Sequence, residues 1–152
     1  MVLHAIQKFF HGHIHPDDGS GPSQRGLQLA TAALLFEMLR ADAEEHPKER
    51  RTLEQALQTR FDLNRAETRE LAALADREAS DATSLYQFTG LINQHFSPEQ
   101  KVQVIEMLWQ VAFADGRLDP YEEALVRKIA GLIYVPHRDF IRSKHRVMDA
   151  RK

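Results

Sequence analysis

Ala114-Asp115-Gly116-Arg117-Leu118-Asp119-Pro120-Tyr121-Glu122 has an earlier counterpart in Ala41-Asp42-Ala43-Glu44-Glu45-His46-Pro47-Lys48-Glu49. Ala, Asp, Pro and Glu recur at the same spacing, with Asp42 and Asp115 standing 73 positions apart. Each copy follows an apolar run (Leu34-Leu35-Phe36 in one, Leu108-Trp109 in the other) and opens a new amphipathic segment. A repeated stretch of this kind defines the structural unit before any single element is assigned. It predicts two three-helix units, about 25–79 and 98–149, joined by a helix over 81–95.

The residues around the two copies read as helix nearly throughout. Leu27, Ala30, Leu34, Met38 and Ala41 keep the three-and-four spacing of an apolar stripe. A helix from Pro47 to about Arg60 carries Leu53 and Leu57. Asn64 with Glu67 three residues on predicts a capping box, followed by Leu71, Leu74 and Ala75 on an inward face. The connecting helix turns Leu85, Phe88, Leu91 and Ile92 to the core. Ser97-Pro98-Glu99-Gln100 has Ser at the cap, Pro at the first helical position and Gln at the third, which starts a helix burying Val102, Ile105, Leu108, Trp109 and Ala112. The next helix buries Tyr121, Ala124, Leu125, Ile129 and Leu132, and one from about Pro136 buries Phe140, Ile141 and Val147. No segment alternates with period two. The expected fold class is all-α, a compact bundle of seven to eight helices. Before it, residues 1–24 divide into a short amphipathic helix, with Val2, Ile6, Phe9 and Phe10 near one face, and a flexible Gly/Pro-rich linker over 11–24.

Composition narrows the function classes. The chain has 152 residues, 43% hydrophobic and 28% charged, enough for one folded domain with a real core. It has no cysteine, which excludes disulfides, zinc-thiolate and iron–sulfur sites and thiol catalysis, and which suits a reducing cytosol. A formal charge of -2 gives no overall pull toward nucleic acid or anionic lipid. No apolar run approaches the ~18 residues of a membrane span, and the N-terminus has no basic leader of a signal peptide.

The acidic stretches admit two readings. Asp119, Pro120 and Glu122 make a helix start on their own, with Asp as cap and Glu reaching back to it. Gly116 suits the left-handed residue that ends the preceding helix. Asp115 and Asp42 are harder to place, because a carboxylate near a helix C-terminus meets the negative end of the dipole, at a cost of about 0.3–1 kcal/mol. Asp115 can act as a corner lock, accepting N–H groups from the next helix. Alternatively it joins Asp119, Glu122 or Glu123 around a hard divalent cation, which prefers oxygen ligands. The matching cluster in the first copy is Asp42, Glu44, Glu45 and Glu49. The spacing is not that of an EF-hand, since glycine directly follows the first Asp.

An apolar run, Ala-Asp-Gly, a short gap and Pro-x-Glu at the head of a helix resembles the TerB-like family, named for bacterial tellurite resistance. Leu85-Tyr86-Gln87-Phe88-Thr89, Leu108 to Gly116 and Val126-Arg127-Lys128-Ile129-Ala130 are similar to that family as well, over about residues 25–145. The resemblance implies a compact, all-helical bacterial protein of the cytoplasm whose acidic corners are associated with divalent cations such as calcium. By position it carries Asp115, Asp119 and Glu122 to the second corner, and Asp42 and Glu49 to the first. The first corner departs from the pattern, with Ala43 for glycine and His46 for an acid. A related module at the N-terminus of some J-domain co-chaperones implies the alternative, a metal-independent protein-interaction role with a protein partner.

Other constellations are weaker. His11, His13 and His15 alternate beside Asp17 and Asp18, a pattern that suits imidazole-preferring metals. Glu67, Glu70, Asp76, Glu78 and Asp81 fall on polar faces, where solvation explains them. No nucleophile–base order, phosphate-binding glycine loop or His-Glu-x-x-His is present, so an enzyme is not expected. The last helix is locally basic through Arg138, Arg142, Lys144, Arg146, Arg151 and Lys152 against Asp139 and Asp149, a surface for an acidic partner, without any pattern for specific nucleic-acid recognition.

Overall fold

In the computed structural model of the chain, the residues described are 10–14, 22–42, 47–76, 82–114 and 120–150. They comprise one wide turn of π-helix, Phe10–Ile14, and α-helices α1 (Gln24–Asp42), α2 (Pro47–Arg60), α3 (Arg65–Asp76), α4 (Ala82–His95), α5 (Pro98–Ala112), α6 (Pro120–Leu132) and α7 (His137–Ala150). There is no strand among the described residues. The all-α expectation holds.

Two helices organise the rest. Every residue of α1 from Leu29 to Met38 is buried. A helix hydrophobic on all sides belongs inside a protein. Accordingly α1 packs against the π-turn, α2, α3, α4 and α5. The small side chains of Ala30, Ala32 and Ala33 let these neighbours approach closely. Helix α5 is the second hub, in contact with α1, α2, α6 and α7. Its Trp109 is wholly buried, with ring centroids of Phe140 at 5.1 Å and Phe113 at 6.0 Å. Burying each such side chain contributes about 1.5–3 kcal/mol.

Local chemistry sets the helix ends. The Ser23 hydroxyl accepts from the Gly26 N–H at 3.0 Å, capping α1. At α5 the Ser97 hydroxyl accepts from the Gln100 N–H, while the Gln100 side chain accepts from the Ser97 N–H at 2.8 Å. Asn64 and Glu67 form the same reciprocal pair before α3, at 2.7 and 3.0 Å. Helices α2 and α6 finish alike. The Leu63 N–H reaches back to the Gln58 carbonyl and the Val135 N–H to the Ala130 carbonyl. Asp62 (φ 49°) and Tyr134 (φ 59°) supply the left-handed residue that this helix ending needs.

The linker reading, which begins at residue 11, fails over 11–14, a turn anchored by Phe10 just before it and by Ile14 within it. Phe10 and Ile14 are fully buried, and Phe10 lies between Phe88 and Phe96, with ring centroids at 6.1 and 6.0 Å. Period-based reading cannot find a segment this short, whose packing comes from two anchors and no repeat. Gly26 is what admits it: a Cβ there would stand 2.7 Å from the Ile14 carbonyl oxygen. Residues 1–9, read as an amphipathic helix, lie outside the described residues. So do the side chains of Ala41, Leu74, Ala75 and Leu85. Ala124, expected inside, is exposed. Val104 and Val126, not expected, are buried. No helix among the described residues is long and apolar enough to cross a membrane.

Candidate functional site

The two acidic stretches are both helix-to-helix corners. The first joins α1, which ends at Asp42, to α2, which starts at Pro47. The second joins α5, ending at Ala112, to α6, starting at Pro120. Asp42 is thus a terminal helical residue and Glu49 lies in the first turn of α2, although neither side chain is described. At the second corner the helix is closed by the Phe113 N–H to the Trp109 carbonyl at 2.9 Å and the Ala114 N–H to Val111 at 3.1 Å. Asp115 and Asp119 fall outside the described residues.

Glu122 is described, and it is only 6 % exposed. It sits in the first turn of α6, where the helix dipole favours a carboxylate. Its neighbour Glu123 points elsewhere. Lys144 on α7 donates to Glu123 at 2.6 Å, and this bond holds the Glu123 carboxyl below its ordinary range. Burial opposes that shift, while the charges of Lys144 and Arg127 reinforce it. Of the acids grouped around this corner by sequence, Glu123 is therefore engaged with α7, whereas Glu122 is buried next to the turn.

Sequence reasoning passed over another buried acid. Glu37, 5 % exposed, is the single charged residue between Leu27 and Met38. That isolation within an apolar run was a legible signal. Glu37 lies on α1, the helix that leads into the first corner.

The remaining candidates separate. His11 packs within the π-turn, its ring 5.6 Å from both Phe10 and His95. The His13 side chain and His15 are outside the described residues. On α7, Lys144 is tied to Glu123 and Arg146 to Glu106, which leaves Arg138 and Arg142 exposed as the outward cations of that helix. Among the described residues, no three His, Asp or Glu side chains gather as a metal site.

Comparison with known proteins bears on this arrangement. The sequence profile of the family described as Tellurite resistance protein TerB matches residues 28–145, from α1 through most of α7. No curated protein and no solved structure matches the chain. With both acidic corners and five complete helices inside the matched span, the chain belongs to the tellurite resistance protein TerB family.

Proposed function

We propose that this is a non-enzymatic, cytoplasmic helical module whose α5–α6 corner binds a divalent cation, calcium foremost, in a tellurite-type stress response. Asp115, Asp119 and Glu122 are the proposed ligands, with Asp42 and Glu49 at the first corner a weaker second set. The observation that carries the reading is the burial of Glu122 in the first turn after the acidic stretch. Its carboxylate stands at a helix start, where negative charge is favoured, and it adds an oxygen donor beside Asp115 and Asp119 in sequence. The donor chemistry also fits. The chain lacks cysteine, and the corner offers carboxylate and carbonyl oxygens, which select hard cations. A bound ion would neutralise Asp115 at the exit of α5 and tighten α5 against α6. A non-enzymatic role is supported by the cleft between α1, α2 and α5, whose carboxylate, Glu106, is already paired with Arg146.

Thermal melting with calcium tests the proposal. At an ion concentration about 100-fold above its Kd, a site confined to the folded state stabilises by roughly 2.7 kcal/mol, which raises the midpoint. The rise should vanish in Asp115→Asn. An unchanged midpoint in millimolar calcium removes cation binding. A second reading, a metal-independent interaction module, is favoured by the exposed aromatic ring of Tyr86 on α4. Under it, Asp115→Asn lowers stability equally in chelator and in calcium.

A further inference from the structure

The α2–α3 corner carries two guanidinium groups with no counter-charge among the described residues. Arg65 and Arg69 stand one helical turn apart on α3, so their side chains leave the same face of the helix. With Gln58 from the end of α2, Leu63 from the corner and Thr68, they line a cleft of about 430 Å³. No carboxylate among the described residues lines it. The acids nearby are engaged or face elsewhere. Glu67 accepts from Arg25 and from the Asn64 N–H. Glu70 follows Arg69 in sequence, roughly 100° further round the helix, and is not part of the cleft wall. The backbone acceptors of the corner are also taken, since Arg25 donates to the carbonyls of Phe61 and Asp62. Among the described residues, therefore, Arg65 and Arg69 have neither an ion pair nor a hydrogen-bond acceptor. Arg65 also occupies the first residue of α3, where the helix dipole does not favour a cation. Arg138 and Arg142 on α7 are also exposed, but among the described residues they line no comparable cleft, whereas Arg127 lies over the Phe140 ring and Arg146 pairs with Glu106.

We propose that this cleft binds a small phosphate monoester, separate from the acidic corners. Two planar forks on one helical face match the oxygens of a single dianionic phosphate better than lysines would. Gln58 supplies an amide for a hydroxyl on the ester, and Leu63 an apolar edge. The volume exceeds what bare phosphate needs and lies within the range of small-molecule sites. The surrounding surface points to one phosphate and not a polymer. Glu54, Asp62 and Glu70 stand among Arg60, Arg65 and Arg69 in the sequence, so the segment carries no unbroken basic run of the kind that follows a nucleic-acid backbone.

The test is titration with glycerol 3-phosphate at constant ionic strength, read from the Nε–H resonances of the arginines, with sodium chloride and a single-stranded oligonucleotide as parallel arms. The expected result is saturable movement of Arg65 and Arg69, with affinity reduced about tenfold or more in the Arg65→Gln, Arg69→Gln double variant. Both side chains are exposed, so the variant should melt like the parent. The proposal is overturned by absence of saturation up to about 20 mM ligand, an affinity too weak to be specific. It is equally overturned if the double variant binds as the parent does. Tighter binding of the oligonucleotide through the same residues replaces the small ester with a polymer and overturns the ligand class.

Discussion

Replacing Phe10 with Ala tests whether the segment before α1 is part of the core. The ring is 0 % exposed and has the rings of Phe88, Phe96, His95 and His11 within 6.1 Å between centroids. Removing a ring from such a site forfeits its burial and leaves a cavity, which together cost about 3–5 kcal/mol. For a domain of this size each kcal/mol moves the melting midpoint by roughly 2–4 °C, so a fall of about 6–20 °C is expected. Urea unfolding followed by circular dichroism should show a lower midpoint with an unchanged slope. Gly26→Ala attacks the same docking from the other side, because its Cβ would stand 2.7 Å from the Ile14 carbonyl oxygen. The two substitutions should be less than additive, since each dislodges the same turn. A loss below about 1 kcal/mol for Phe10→Ala, the size of an ordinary peripheral change, would refute the packing argument. Residues 11–14 would then be the linker that their composition suggests.

Glu123→Gln should cost about 0.2–1 kcal/mol near pH 7, since the partners Glu123 and Lys144 remain 31% and 22% exposed and water screens the pair. The folded-state pKa of Glu123 lies below its ordinary 4.5, so the stabilisation is complete above that value and fades as pH falls through the lower one. Parent and variant should converge in urea titrations at acid pH; a difference that persists there assigns the effect to packing. Tyr134→Gly should raise stability by about 0.5–1 kcal/mol, because Tyr134 pays for a left-handed backbone with a ring that is 76 % exposed. A decrease in denaturant midpoint would instead mean that the contact of Lys101 with the Tyr134 ring, 5.9 Å to its centroid, outweighs the backbone strain.

What could be read from sequence was whatever is local. Pro47 as the start of α2, the Asn64–Glu67 box and the Ser97-Pro98 start of α5 are encoded within four residues each, and all are found. Apolar spacing correctly placed Leu53, Leu57, Leu71, Ile105 and Ile129 inside. It understated α1, where a single stripe was read and burial is continuous from Leu29 to Met38, because periodicity disappears when a helix is covered on every side. The π-turn was illegible for the opposite reason, since its two anchors depend on rings far along the chain, Phe88 and Phe96. At the candidate site, the positions of Asp42 at the end of α1 and of Glu122 at the head of α6 follow from cap and proline signals. That Glu123 turns away to Lys144 could not be read, because 21 residues and a further corner separate the partners.

Trp109 is the one tryptophan of the chain, wholly enclosed, with its indole N–H lacking an acceptor among the described residues and Lys144 5.6 Å above its ring. Nature has thereby built a fluorophore into the seam where α5 meets α7. Its emission should be strongly blue-shifted in the native protein and should move red as soon as α7 lifts away. Comparison of that colour change with the loss of helical ellipticity would show whether α7 leaves first or the whole bundle melts together.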